Sequence, residues 1–412
     1  MKKKILLVGP LLTRSGYGEQ ARFALRALRS KEDQFDIYIQ PIKWGETSWV
    51  SDYNDEKQWI DDTIEKTIAY ASSGGQFDMS LQVTIPIEFQ NRAPVNIGYT
   101  AGIETTKVAP EWLQTCNAME KVIVVSNHAK NVFEATSYTG QVEGTGEQVE
   151  LTSTCPISVV NYPVKTFEPL DLELELKHDV NFLCVAQMGP RKNLNNTIRW
   201  FMEEFKDDEV GLVVKTNRSK NCLMDRRICE HHIKMLTQQY SDAKCNVYLL
   251  HGDMTDQEMH ALYKHEKISA FVCLAHGEGF GLPYFESMYS GLPVVAPGWS
   301  GQNDFLFNED GKEMFYNVSF DIKQVPKEAV WDKVIVESCG WAYPREVSAK
   351  EQMRACYNDI INNEGHAANA ENYASYTCER FSEEKMLALF ADQIYSSEDI
   401  KWEQALADVE LV

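Results

Sequence analysis

Two glutamates eight residues apart, Glu278 and Glu286, bracket a glycine-rich turn that follows an apolar run and opens onto a helix. The segment reads His276-Gly-Glu-Gly-Phe-Gly-Leu-Pro-Tyr-Phe-Glu-Ser-Met-Tyr-Ser-Gly-Leu-Pro-Val-Val-Ala-Pro. Glycines at 277, 279 and 281 let backbone approach a ligand closely. Pro283 suits the first position of a helix. Glu278 then sits on the loop and Glu286 on the helix's first turn, both near one crevice. Free N–H groups at such a helix start favour a diphosphate, and two carboxylates around the loop can grip two separate hydroxyl-bearing rings.

The elements that position this turn alternate between strand and helix. In the first half, Lys4–Gly9, Phe35–Gln40, Met79–Val83, Val95–Tyr99, Lys121–Val125 and Ile157–Val160 are expected strands. Gln20–Leu28, Lys57–Ala71, Pro110–Met119 and Asn127–Ala135 carry helical periodicity, and Ser126 suits an N-cap. Tyr138–Glu150 reads as an exposed loop or hairpin. Past a proline-marked acidic stretch, alternation restarts with strands at Val180–Val185, Val210–Lys215, Asn246–Leu250, Ile268–Leu274 and Pro293–Ala296. Helices are expected at Leu194–Phe205, Cys222–Tyr240, Asp256–Tyr263, Ala349–Ile361 and Ser382–Ile394. This pattern predicts an α/β protein of two doubly wound parallel sheets, with a crevice between them at the carboxyl ends of the strands. The expected domains are 1–165 and 179–345, joined by a linker at 166–178. Helices at 346–412 partly cross back to the first domain.

Composition bounds the partners. The 412 residues suffice for two domains, and no apolar run approaches the roughly 20 residues of a membrane span. The apolar stretch after Met1-Lys2-Lys3-Lys4 stops at Gly9-Pro10, too short for a signal peptide, so a cytoplasmic protein is expected. Ten scattered cysteines without a Cys-x-x-Cys pair read as reduced, mostly buried thiols. His231-His232 near Cys229 lacks zinc-ligand spacing, and no metal site is expected. Net charge is −21, but residues 1–165 hold 16 basic against 20 acidic residues, and 166–412 hold 24 against 41. Nucleic acid is disfavoured overall. The nearly neutral first half leaves room for a local basic strip of Arg14, Arg22, Arg26, Arg29 and Lys31, for which a solvated helix face is the simpler reading.

The turn resembles that of the retaining glycosyltransferases of the GT-B fold, the family-four group with its Glu-x7-Glu motif: Glu-Gly-Phe-Gly-Leu-Pro-x-x-Glu-x-Met-x-x-Gly-Leu-Pro-Val is matched at Glu278–Val294. The resemblance implies that Glu286 binds the donor ribose, that Glu278 binds the transferred sugar, and that Gly279, Phe280, Gly281 and Leu282 line the donor. Val185-Ala-Gln-Met-Gly-Pro-Arg-Lys-Asn resembles the loop whose basic residue meets the donor phosphates, here Lys192 with Arg191. Lys215 closes the next strand and is expected to face the same crevice. Cations there accelerate departure of a diphosphate, whose negative charge grows in the transition state. Gln187 stands where many relatives carry arginine. Leu250-His251-Gly252-Asp253 corresponds to the base-contacting turn. There the backbone makes the contacts, and the His251 side chain reads as structural.

In the first domain, Thr13-Arg14-Ser15-Gly16-Tyr17-Gly18-Glu19 resembles the family's first glycine loop, with Gly16 toward the donor and Arg14 and Tyr17 toward the acceptor. Glu104, in Ala-Gly-Ile-Glu-Thr-Thr-Lys, is a candidate acceptor contact, a satisfied loop carboxylate being the alternative. No residue matches the relatives' histidine near the sugar; His128 is a weak substitute. Trp341-Ala-Tyr-Pro-Arg and the last helices match the family's ending. The first domain looks most like glycosyltransferases encoded by tailed phages related to the T-even group. The implied reaction is retaining transfer from a nucleotide diphosphate sugar (UDP- or GDP-linked) to a hydroxyl, with no metal or cofactor. The acceptor is a 5-hydroxymethylcytosine base in phage DNA or else a carbohydrate, lipid-linked or protein hydroxyl. A GT-B-fold nucleotide-sugar epimerase and a non-enzymatic sugar-binding module are the competing readings.

Overall fold

The computed structural model describes residues 2–50, 54–141, 146 and 148–395. The chain divides into two compact units. The first comprises residues up to Gly102, Ala109–Pro163 and the segment from Phe381 onward; the second comprises Ile103–Val108 and Val164–Arg380.

In the first unit the elements are β1 (Lys3–Gly9), α1 (Gly16–Arg29), β2 (Phe35–Pro41), α2 (Asp55–Ser72), β3 (Met79–Val83), β4 (Val95–Thr100), α3 (Pro110–Cys116), β5 (Lys121–Val124), α4 (Asn127–Ala135), β6 (Tyr138–Gln141), β7 (Gln148–Leu151) and β8 (Ile157–Val159). Six strands form one parallel sheet in the order β2-β1-β3-β4-β5-β8. Its central strands are buried on both faces, as a sheet covered on both sides requires: Ile5, Leu7, Leu81, Val83 and Ile123 are fully buried on one face, and Leu6, Val8, Ser80, Gln82 and Val124 are buried on the other. Ser15 caps α1, its hydroxyl accepting from Gly18 N at 2.9 Å. Ala21, Ala24, Leu25 and Leu28 then bury the apolar face that their spacing predicts. Of the two readings for 138–150, the hairpin is found, β6 pairing antiparallel with β7; positions 142–145 and 147 of that range lie outside the described residues.

The second unit runs β9 (Asn181–Val185), α5 (Leu194–Phe205), β10 (Gly211–Lys215), α6 (Leu223–Thr237), β11 (Asn246–Leu250), α7 (Asp256–Tyr263), β12 (Ile268–Val272), α8 (Leu282–Tyr289), β13 (Val294–Pro297), α9 (Asn303–Leu306), β14 (Tyr316–Val318), β15 (Phe320–Gln324), β16 (Gly340–Pro344), α10 (Glu346–Asn362), α11 (Gly365–Ala368) and α12 (Ala370–Arg380). Its parallel sheet has the order β11-β10-β9-β12-β13-β14, and β15 pairs antiparallel with β16. The stretch expected as a free linker is not free. It lacks regular structure yet is fastened to the second unit: Gln257 Nε2 donates to Glu168 O, Lys267 Nζ donates to Leu176 O at 3.1 Å, and His178 Nε2 lies 2.7 Å from Asn246 Oδ1. Residues 103–108 also belong here rather than with the first unit, Thr106 N donating to Gly340 O.

The last described helix, α13 (Glu383–Ile394), returns to the first unit, where Phe390 is fully buried with its ring 5.2 Å from Phe23 and 4.8 Å from Tyr99. No helix among the described residues is long and apolar enough to cross a membrane. Phe390→Ala is expected to remove about 3–5 kcal/mol from the stability of the first unit by leaving a cavity against Phe23 and Tyr99. Urea unfolding followed at both units checks this. A loss confined to the second unit would contradict the placement of α13.

Candidate functional site

Open α/β sheets bind ligands beyond the carboxyl ends of their strands, where the chain order reverses. In the second unit that reversal lies between β9 and β12. The loop after β9 carries Gly189–Asn193 and the loop after β12 carries His276–Gly281, so topology alone brings Lys192 and Glu278 together. Asn193, in the left-handed region at φ 51°, donates from Nδ2 to Leu274 O at 3.0 Å. His276 N donates to Arg191 O at 2.8 Å. These two bonds hold the loops in register.

The Glu278 carboxylate is buried between two cations. Lys192 Nζ donates to Oε1 at 2.5 Å, and Arg191 Nη1 lies 3.0 Å from Oε2. Arg191 also donates to Gly277 O at 2.6 Å and reaches Glu104 Oε1 at 3.3 Å through Nη2. Burial pushes the Glu278 carboxyl up, but Arg191 and Lys192 outweigh it and hold it below the ordinary carboxylate range. Burial likewise opposes the Arg191 charge, which Glu104 and Glu278 more than restore. Backbone contacts fix the glutamate from below: Glu278 N donates to Ser300 Oγ at 2.9 Å, Ser300 Oγ donates to Gln302 Oε1, and Gly301 N donates to Glu278 O. Ser300 itself sits at φ 70°. Sequence reasoning missed Ser300 and Gln302; their signal was the Gly298-Trp-Ser-Gly301 turn, which follows the strand next to β12.

The glycine turn is sterically required. A Cβ at Gly277 would lie 2.4 Å from Glu104 O and 2.7 Å from the Trp299 ring, and Gly281 takes φ 94°. Three expectations about this turn are corrected. Pro283 occupies the second helical position, behind Leu282, which puts Glu286 just beyond the first turn of α8. The Tyr284 and Phe285 N–H groups both donate to Gly281 O at 3.0 Å and proline has none, so the helix start keeps little for a diphosphate. The Phe280 ring is not available to line a ligand, since it packs 5.1 Å from both Phe285 and Phe305 in the core, so any donor contact there falls to its backbone. Gly279, whose carbonyl any Cβ at Gly301 would strike, supplies backbone. Glu286 is half-buried, its Oε2 accepting from Tyr263 at 2.9 Å.

Lys215 does not join this cluster. Its ammonium donates to Gly252 O at 2.6 Å, and burial lowers its pKa. It therefore braces the turn after β11, where Gly252 takes φ 128°. His251 is structural in the same turn: Nε2 lies 2.9 Å from Asp225 Oδ2, and Asp225 also accepts from Arg218 N and Ser219 N. Cys229, set aside in the sequence because of His231-His232, stands instead beside Asp225 and His251, their ligand atoms all within 4.8 Å of one another. All ten cysteines are free thiols, eight of them buried.

Glu104, expected on the acceptor side of the first domain, belongs to the second unit as the outer partner of Arg191. Gly16, Arg14 and Tyr17 lie in the first unit. Gly16 opens α1, Arg14 N donates to Ser48 O at 2.8 Å, and the Tyr17 hydroxyl pairs with Thr100 Oγ1 at 2.8 Å. The basic strip is largely neutralised. Arg22 lies 3.2 Å from Glu19, Arg26 lies 3.1 Å from Glu19 and 2.7 Å from Glu56, and Arg29 lies 3.5 Å from Glu32.

Residues 173–312, which hold every member of the Glu278 cluster except Glu104, match the family of group 1 glycosyl transferases. By this domain the chain is a glycosyltransferase. Its fold is that of sucrose-phosphate synthase from Thermosynechococcus elongatus (TM-score 0.59, 14% identity, 99% of this chain and 100% of that one). The Anabaena protein HepE, solved in complex with UDP and glucose, shares it (TM-score 0.55, 13% identity, 95% of this chain and 99% of that one). Against TarM of S. aureus the glycosyltransferase spans only 53% of that protein's length, with 75% of its own covered at 13% identity and a TM-score of 0.46. No curated protein matches it in sequence. Two parallel-sheet units of the GT-B kind are therefore its architecture.

If Lys192 and Glu278 act as one unit, their substitutions must be non-additive. Lys192→Met is expected to cost about 1.5–3 kcal/mol through the lost charge-assisted bond. Combining it with Glu278→Gln should cost less than the sum, with a coupling of about 1–3 kcal/mol in thermal or urea unfolding. Strict additivity would contradict the shared network.

Proposed function

We propose that the glycosyltransferase moves a sugar from a nucleoside diphosphate donor to an acceptor hydroxyl with retention of anomeric configuration, in the manner of the family-four group. The observation that carries this reading is the buried, ionised Glu278 held between Arg191 and Lys192 at the switch point of the second sheet. A carboxylate kept charged there accepts hydrogen bonds from the hydroxyls of the transferred sugar. Arg191 and Lys192, now shared with Glu278 and Glu104, supply positive charge for a departing diphosphate in this reading. Glu286 grips the donor ribose, relinquishing or sharing its Tyr263 bond. Lys215 serves by holding the Gly252 turn against the base, a role its present hydrogen bond supports better than direct phosphate contact.

In this scheme the bond from the sugar's anomeric carbon to the phosphate oxygen breaks, and its electron pair leaves on the diphosphate. The acceptor oxygen bonds to the same face of that carbon while its proton passes to the leaving phosphate oxygen. No protein nucleophile is needed, and charge is balanced by Arg191 and Lys192. HepE's complex with UDP and glucose supports a UDP-sugar as the first donor to try.

Two acceptors remain in play. A hydroxymethylated base in phage DNA is supported by the first domain's resemblance to phage glycosyltransferases. A carbohydrate hydroxyl is favoured by the ion pairing of Arg22, Arg26 and Arg29, since duplex binding draws most of its affinity from cations free to meet phosphates.

Glu286→Ala is expected to weaken UDP or UDP-sugar binding by roughly tenfold or more in calorimetry, the worth of a charge-assisted hydrogen bond; unchanged affinity would remove the ribose role. Incubation with UDP-, GDP-, ADP- and TDP-sugars, with and without hydroxymethylcytosine DNA or methyl glycosides, should give a product whose anomeric proton keeps the donor's configuration. An inverted product would overturn the retaining scheme. Donor conversion without any acceptor would indicate epimerisation.

A further inference from the structure

The first unit holds an aromatic cluster that the donor-site argument leaves unused. In its sheet the chain order reverses between β1 and β3, so a ligand of this unit belongs beyond the carboxyl ends of those strands. The segment following β2 is drawn to that place. Arg14 N donates to Ser48 O and Val50 N to Leu12 O, each at 2.8 Å, and Thr13 pairs with Trp49 as an antiparallel bridge. The Thr47 hydroxyl donates to Trp44 O at 2.8 Å and tightens the bend. Trp44 stacks on Tyr17 with ring centroids 4.0 Å apart and an interplanar angle of 29°. Tyr17 is itself anchored at the carboxyl end of β4, through Thr100 Oγ1 at 2.8 Å and Ala101 N at 3.2 Å. Trp49 remains 55% exposed at the same end of the sheet.

We propose that Trp49, on the same bent segment as the Trp44 that stacks on Tyr17, is a platform for a neutral pyranose ring and holds a carbohydrate acceptor; the acceptor role rests on the glycosyl-transfer reading above. A tryptophan fixed by backbone bonds on both sides yet left half in water forgoes burial that its size makes worth having. A ring seated on its face recovers that burial. Both a nucleobase and the C–H face of a sugar can stack there, and charge discriminates between them. A nucleotide brings phosphates, and Arg22, whose guanidinium reaches Leu11 O and Thr13 O at the bridge to Trp49, is already engaged by Glu19. A pyranose needs hydroxyl partners instead. Lys43 and Glu46, paired with each other at 3.7 Å on the same segment with side chains 71% and 63% exposed, leave no net charge for a phosphate while offering hydroxyls a donor and an acceptor.

The test titrates the full chain with methyl glucoside, methyl galactoside and methyl N-acetylglucosaminide. In parallel it uses 5-hydroxymethyl-2′-deoxycytidine monophosphate and a short DNA strand carrying that base. Emission of the wild type is compared with that of Trp49→Phe, and binding is repeated with Trp49→Ala after circular dichroism confirms its fold. At least one glycoside is expected to change the Trp49-dependent emission, with Trp49→Ala weakening its binding roughly tenfold while UDP affinity stays unchanged. Absence of a Trp49-dependent response to every glycoside overturns the proposal, as does a Trp49-dependent response to the nucleotide or DNA in their place. UDP calorimetry on the same samples separates the readings. If UDP fails to bind while the glycoside response survives, the donor assignment falls and the platform stands.

Discussion

Removing a carboxylate from water costs several kcal/mol unless cations and hydrogen-bond donors replace the lost hydration. Glu278 meets that condition only because four separate stretches of chain converge on it. The loop after β9 brings Lys192 and Arg191, the turn after β13 brings Ser300, residues 103–108 bring Glu104 as counter-charge to Arg191, and β16 supports the loop from behind through Ala342 N to His276 O. Lys192 and Arg191 alone touch the carboxylate; the other stretches fix the backbone and the guanidinium around it. Gly277 is confined to glycine by the close approach of Glu104 O, and Asn193 by its left-handed backbone and its bond to Leu274 O.

The periodic elements were legible because period reports burial. Leu194–Phe205, Asn246–Leu250, Asp256–Tyr263 and Asn127–Ala135 have the same ends in the chain and in the structure. Both parallel sheets follow from the alternation. Short or pairing-dependent pieces were not legible: β14, β15, α9 and α11 have three to five residues each, too few for a period to register. The same limit governs the site. Glu278, Lys192 and Arg191 could be named from motif and strand-end position, and they do meet. Lys215 has the right residue type at the right strand end, yet the Gly252 carbonyl lies within its reach and takes its ammonium. Which acceptor a lysine chooses is decided by backbone conformation in the loop of the neighbouring strand, which no local pattern records. Ser300 and Glu104 were missed or misplaced for a related reason. Their importance arises from loops distant in sequence that share one end of a sheet.

Charge counted along a sequence also differs from charge presented in space. The first half's near-neutral balance suggested a basic strip on α1, but helical spacing that places Arg22 and Arg26 on one face also places Glu19 among them, and Glu56 on α2 completes the pairing. These pairs are part-buried, with side chains 12–25% exposed, so salt screens them little. Their effect is to lower the potential available to a polyanion, and so to shift the expected acceptor from nucleic acid toward an uncharged ring.

The central claim is that Glu278 stands ionised, buried and cation-bound before any donor arrives. Carbon-13 NMR of the glutamate side-chain carboxyls, with Glu278 assigned by difference against Glu278→Gln, measures this directly through its titration. The account predicts a midpoint below the ordinary 4.5 for a glutamate and an upward shift in Arg191→Ala. A midpoint at or above 4.5, unmoved by loss of Arg191, would contradict it.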